Sequence, residues 1–190
     1  MNTIMKTVLL NLTPFLLVII LAFTPIAELP NNWHKAGSHP DSYEMGMDNQ
    51  VFNSGAQSAY IQSKKEKIKG FGTLMQSSKV GKYRGKKVKM TGFIKTESVK
   101  GWSGMWLRID PANGGKSLSF DNMYNRKLTG TKDWSKYEIV LDVPAGSYSM
   151  SYGVLLNGTG KVWFDDISFE ITEGLPTNLN EQPTNVDFEE

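Results

Sequence analysis

The chain has 190 residues, 39% of them apolar, which is enough for one sizeable core with short tails. Its 21 basic and 19 acidic residues leave a formal charge of +2, so it lacks the strongly basic overall balance expected of a nucleic-acid binder. It has no cysteine, which excludes disulfides, thiolate zinc sites and thiol catalysis together.

From the N-terminus, Lys6 precedes an apolar run from Val8 to Ala27. Pro14, Pro25 and the lack of a polar face argue against a buried amphipathic helix. A basic residue ahead of a long apolar stretch is the pattern of an export signal. A run of this length could also stay uncut as a bilayer anchor. Residues 1–27 are therefore expected to be a signal peptide or membrane anchor, and the protein to be secreted or extracytoplasmic, with a tether as the alternative. Residues 28–40, with Pro30, Pro40, Asn31 and Asn32, read as a linker. Residues 173–190 carry prolines, asparagines and an acidic end without apolar periodicity, and read as a disordered tail. The folded part is then 41–172.

Within it, residues alternate with a period of two. Val88, Met90, Gly92 and Ile94 share one face of a strand. Tyr137, Ile139, Leu141 and Val143 share a face of another, and Tyr148, Met150, Tyr152 and Val154 of a third. In 161–172, Trp163, Asp165, Ile167, Phe169 and Ile171 fall on one side, and Val162, Phe164, Asp166, Ser168 and Glu170 on the other. Shorter strand candidates are 43–47, 58–63, 71–76, 102–109 and 117–120. Glycine-rich breaks at 113–115, 129–130, 144–146 and 157–160 separate them. No segment carries a helical stripe. About nine short strands at this spacing predict an all-β fold, an antiparallel sandwich of the jelly-roll kind or a barrel.

Four stretches carry a resemblance: GAQSAYIQS (55–63), GKKVKMTGFIKT (85–96), TKDWSKYEIVLDVPAG (131–146) and GKVWFDDISFEI (160–171). In this order they resemble the galactose-binding-like jelly-roll domains, the carbohydrate-binding modules found beside polysaccharide-degrading enzymes. The stretch WSGMWLRID (102–110) with LSFDNMYNRKLTGTKDWSKYEIVLDVP (118–144) is similar to a bacterial family of such domains, some standing alone and some appended to regulators. The resemblance spans the whole folded part. It implies a jelly-roll β-sandwich and a saccharide or cell-envelope polymer as ligand. It also implies a structural calcium between a first-strand Glu and the first Asp of the last strand, here Glu44 and Asp165. Tyr43-Glu44 stands where the family has Phe-Glu.

Sugar rings are bound by aromatic faces with polar groups at their edge. On a strand, Trp102, Trp106 and Arg108 share one face, while Met105, Leu107 and Ile109 face the core. Gly104 leaves a gap between the indoles. This set is the candidate ligand site, with Asp121, Asn122 and Arg126 from the next segment and Tyr152 as a further neighbour. Trp134 and Trp163 read as structural. Asp165, on an apolar face, needs a hydrogen-bond partner or a metal. Calcium takes 6–8 oxygens, so two carboxylates could anchor one.

The lysines at 64, 65, 67 and 69, and the basic residues at 79, 82, 84, 86, 87 and 89, could favour an acidic polymer; solvated surface is the plainer reading. His34 and His39 lie in the expected linker, and no Gly-x-Ser-x-Gly or phosphate-loop motif is present. Asp110, Asp121 and Glu138 are available carboxylates, but nothing in the sequence pairs them. The expectation is a non-catalytic exported binding module. The alternative is a protein-interaction or envelope-assembly module on the same sandwich, with a protein partner.

Overall fold

The computed structural model describes residues 28–172; the apolar N-terminal run and the proline-containing tail lie outside them. Eight strands run β1 His34–Gly37, β2 Tyr43–Asp48, β3 Ser58–Ser63, β4 Phe71–Lys79, β5 Lys86–Pro111, β6 Ser119–Asp121, β7 Leu128–Val143 and β8 Ser147–Thr172. Every pairing is antiparallel. The expected jelly-roll sandwich is the observed fold, with two long strands where several short ones were expected.

Both β5 and β8 are 26 residues long and serve two sheets. One sheet is β1, β4, the first half of β8, the second half of β5, and β6. The other is β2, β3, the second half of β8, the first half of β5, and β7. The corner is the rung Gly101–Gly158. Both glycines have positive φ, 120° and 82°. A Cβ on Gly158 would lie 2.2 Å from the Lys100 carbonyl oxygen, and one on Gly101 2.2 Å from that of Asn157. The 157–160 glycines therefore bend a continuous strand rather than end it, because the ladder continues on both sides of them. Gly130, read as a break, likewise lies inside β7, where the register against β5 slips repeatedly.

The core lies between the sheets. Leu74, Met105, Leu107, Ile109, Met150, Val154 and Leu156 contribute from one side. Met45, Ile61, Val88, Met90, Ile94, Ile139, Val162 and Phe164 contribute from the other. The alternation in 87–96 and 102–109 is thus obeyed.

Two expectations are corrected. The first is the linker at 28–40, which belongs to the sandwich. Residues 34–37 pair with β4, and the Trp33 ring packs edge-on against Tyr152 at 5.9 Å and against Phe164 at 5.6 Å. A four-residue edge strand with one partly buried side chain has too few alternations to be legible. The second is the shared face of Trp163, Asp165, Ile167 and Phe169. Asp166 has φ 52°, and the register shifts by one residue between Phe93–Asp165 and Thr91–Ser168. This bulge flips the alternation. Val162 and Phe164 face the core before it, and Ile167 and Phe169 pack on the core after it. Trp163 and Asp165 point outward.

A groove on one sheet face

The outer face of the β1-β4-β8-β5-β6 sheet is ordered by register. Successive rungs carry Phe71, Asn157 and Trp102; then Ala36, Thr73, Leu155 and Gly104; then His34, Met75, Gly153 and Trp106; then Ser77, Ser151, Arg108 and Phe120. A groove of about 290 Å³ lies over these rungs, with Phe71, Trp102, Trp106 and Phe120 as aromatic lining and Arg108 and Asn122 as polar lining. Glycines at 104 and 153 keep its middle low. A Cβ on Gly104 would lie 3.1 Å from Met123 Cβ and 3.3 Å from the Asn122 carbonyl oxygen, so this glycine also lets the segment after β6 approach β5.

The two indoles play different parts. Trp106 is the floor: it is 8% exposed, and its Nε1 donates to Thr73 Oγ1 at 2.8 Å. Trp102 is a half-buried wall, met edge-on by Tyr124 at 5.6 Å. The Lys127 ammonium lies 3.6 Å from the Tyr124 ring centre and 5.8 Å from that of Trp102. Phe120 and Tyr124 are the open rings, 51% and 62% exposed. Arg108 is exposed, and its Nε donates to Asp110 at 2.8 Å, which fixes the guanidinium plane beside the groove.

Of the residues singled out in sequence, Trp102, Trp106, Arg108 and Asn122 come together. Asp121, Arg126 and Tyr152 do not join them. Asp121 is rung partner to Leu107, so it takes the opposite parity from Phe120. Its Oδ2 accepts from Arg126 at 2.7 Å and its Oδ1 accepts the Met123 backbone N–H at 2.7 Å. Arg126 also donates to the Glu138 carbonyl at 3.0 Å. The pair builds the turn that carries Tyr124 and Lys127. Tyr152 faces the core on the Leu107 rung, packed against Trp33 and Phe169 and hydrogen-bonded to Gln76. Its burial pushes the phenol pKa up. Phe71, Thr73, Met75, Phe120 and Leu155 were missed. They come from strands whose adjacency to β5 no local pattern carries.

Glu44 and Asp165 do not fit a shared calcium. Glu44 sits on the rung of Gln62 and Lys161, four residues along β8 from Asp165, or about 13 Å of strand. Glu44 Oε1 accepts the Tyr60 hydroxyl at 2.5 Å. The Asp165 oxygens accept backbone N–H groups of Asn53 at 3.0 Å, Ser54 at 3.2 Å and Asp166 at 2.8 Å. The polar partner that Asp165 required is this loop backbone.

The outer face of the other sheet also carries aromatics, and they are sealed. Lys161 Nζ sits 4.4 Å from the Trp163 ring centre and 4.5 Å from that of Tyr60. Asp48 accepts the Trp163 indole N–H at 2.8 Å and Lys161 at 3.3 Å. Burial pulls the Asp48 carboxyl up, but the hydrogen bonds from Trp163, Gln50 and Val51 and the Lys161 charge outweigh it and hold the pKa below the usual range. Burial first, then the bond to Glu44 and the Glu44 and Asp48 charges, push the Tyr60 phenol up. Trp134 is half-buried on β7.

No known protein-family profile matches the chain. Over 167 residues it is 42% identical to the uncharacterized HTH-type transcriptional regulator YbfP of Bacillus subtilis (strain 168). The match covers 83% of this chain and 56% of that protein, so the chain spans little more than half of the regulator's length. Among solved structures, it is similar to the CBM22-1 xylan-binding domain of Paenibacillus barcinonensis Xyn10C. There the TM-score is 0.55 at 12% identity, over 79% of this chain and 92% of that one. The CBM22-1–GH10 portion of Clostridium thermocellum xylanase 10B gives 0.58 at 10% identity, over 78% and 28%. The shared fold is the antiparallel jelly-roll β-sandwich. The enzymatically active domain of bacteriophage CBA120 tailspike protein 4 gives 0.59 at 14% identity, over 75% of this chain and 20% of that one. At such identities the shared property is the sandwich.

Proposed function

We propose that this protein is a non-catalytic binding module that captures a saccharide in the groove over β4, β8, β5 and β6. The observation that carries this reading is the convergence of aromatic faces and polar edges on one strand face. Trp102 and Phe120 offer rings to the apolar faces of sugars. Arg108 and Asn122 offer hydrogen bonds to hydroxyls at the rim. Trp106 holds the floor through Thr73. The carbohydrate-binding modules that share the fold support the reading. The apolar segment ahead of residue 28 fits export, cleaved or tethered.

The likeness to part of a transcriptional regulator favours a second reading, in which the sandwich is a protein-interaction module without sugar affinity.

The test is a glycan array and an insoluble-polysaccharide pull-down, run on wild type, Trp102→Ala and Phe120→Ala with thermal melts alongside. Retention of wild type on a defined glycan, lost in folded variants, supports the saccharide reading. No retention by wild type on any glycan favours the protein-partner reading.

A further inference from the structure

Strands β5 and β8 lead from the groove into a second concavity. Beyond the Trp102–Asn157 rung come Gly101–Gly158 and then Lys100–Thr159. There a cleft of about 720 Å³ opens, lined by Lys64, Lys65, Lys67 and Lys100, with Glu66 the one acid lining it among the described residues. All four lysines are exposed. None of them forms an ion pair among the described residues, whereas Lys87, Lys89, Lys95 and Lys161 each meet a carboxylate.

Lys100 stands on β5, and Lys64, Lys65 and Lys67 follow the end of β3, which is tied to its neighbours. The Lys64 N–H donates to the Ser42 carbonyl at 2.9 Å, and Gly160 N–H donates to Ser63 Oγ at 3.1 Å. Like charges gathered in one concavity repel one another, and a bound polyanion relieves that repulsion. Lys100 is two residues from Trp102, across the Gly101 bend, so at most about 7 Å of chain separates them. Lys127 adds a further cation beside Trp102, stacked on Tyr124.

We infer that the groove and the lysine cleft serve one ligand: an anionic polysaccharide, bearing carboxylate or phosphate groups. Its sugar rings lie on Trp102 and Phe120, and its charged groups enter the cleft of Lys64, Lys65, Lys67 and Lys100. This inference rests on the saccharide reading of the groove and names its substrate class.

The experiment measures retention of the full chain on three immobilised polymers. These are polygalacturonate, its fully methyl-esterified form, and a poly(glycerol phosphate) teichoic acid carrying sugar substituents. Each is run at low salt and at about 0.5 M NaCl, where surface charges are screened. Wild type is compared with Trp102→Ala and with the combined variant Lys64→Ser, Lys65→Ser, Lys67→Ser, Lys100→Ser. The expected result is retention on an anionic polymer, weakened about tenfold in the lysine variant and at high salt. Trp102→Ala should also weaken it, and the neutral ester should be held poorly. Which anionic polymer is held separates carboxylate from phosphate. Equal retention of the acid and its ester, unchanged in the lysine variant, overturns the inference and leaves the groove reading standing. Loss in the lysine variant with full retention by Trp102→Ala overturns the single-ligand arrangement. No retention on any of the three polymers, with binding to other neutral glycans, overturns the inference alone; no retention on any glycan removes both.

Discussion

Each sheet has an outer face with aromatic rings, and the two faces have opposite fates. On the β2-β3-β8 face, Trp163 is 4% exposed because Lys161 lies over its ring and Asp48 takes its N–H. On the β4-β8-β5-β6 face, the floor indole of Trp106 is nearly as buried, but Trp102, Phe120 and Tyr124 remain open beside it. A tryptophan on a strand face is therefore not in itself a platform. On the closed face Lys161 lies over both rings and Asp48 takes the indole N–H; on the open face Lys127 stacks on Tyr124 and Thr73 takes the Trp106 N–H, yet Phe120 and part of Trp102 stay uncovered. The closed face commits its aromatics to packing, and the open one leaves rings exposed at the surface.

The strongest way to break this arrangement is to remove the corner that separates the faces. Gly158→Ala should cost several kcal/mol or prevent folding, because the added Cβ meets backbone at 2.2 Å and φ is 82°. Thermal or urea unfolding reads this directly, and a near-neutral result would mean the corner can relax.

Truncating the buried indoles comes next. Trp163→Ala and Trp106→Ala should each lose about 3–5 kcal/mol in denaturant unfolding. They should part in binding: at temperatures where both remain folded, glycan retention should persist in the first and fall in the second. Loss of retention in Trp163→Ala would show that the sealed face is not inert.

Trp102→Ala should reverse that pattern. Its half-exposed ring should cost about 1 kcal/mol of stability or less, while retention should fall by roughly tenfold or more, as at an aromatic hot spot. A large drop in melting temperature with unchanged retention would make Trp102 a packing residue.

The smallest effect concerns the tie across the corner. The Tyr43 hydroxyl donates to the Gly70 and Gly158 carbonyls at 3.1 and 2.9 Å. Burial pushes its pKa up to about 12 from 10.0. The folded state thus holds the phenolic proton more tightly than the unfolded chain does. The Tyr43 contribution is complete below about pH 10 and should be lost as pH rises toward 12. Tyr43→Phe should cost about 1–2 kcal/mol at neutral pH and flatten that alkaline decline. An unaltered pH profile in the variant would assign the decline to other groups.

Much of this was legible in the chain before any tertiary contact. Alternation put Trp102, Trp106 and Arg108 on the face opposite Met105, Leu107 and Ile109, because consecutive side chains on a strand must point to opposite sides. The glycine clusters marked where the backbone turns or bends. What alternation cannot encode is which strand lies alongside. Phe71 and Phe120 reach the groove only because β4, β8, β5 and β6 are neighbours in register. Nor can it foresee a one-residue bulge. At Asp166 that bulge sent Trp163 and Asp165 outward and left Asp165 to the Asn53–Ser54 backbone instead of a metal shared with Glu44. Faces are set locally by covalent geometry; neighbours, and hence the open groove, the sealed indole and the lysine cleft, are set by long-range hydrogen-bonded pairing.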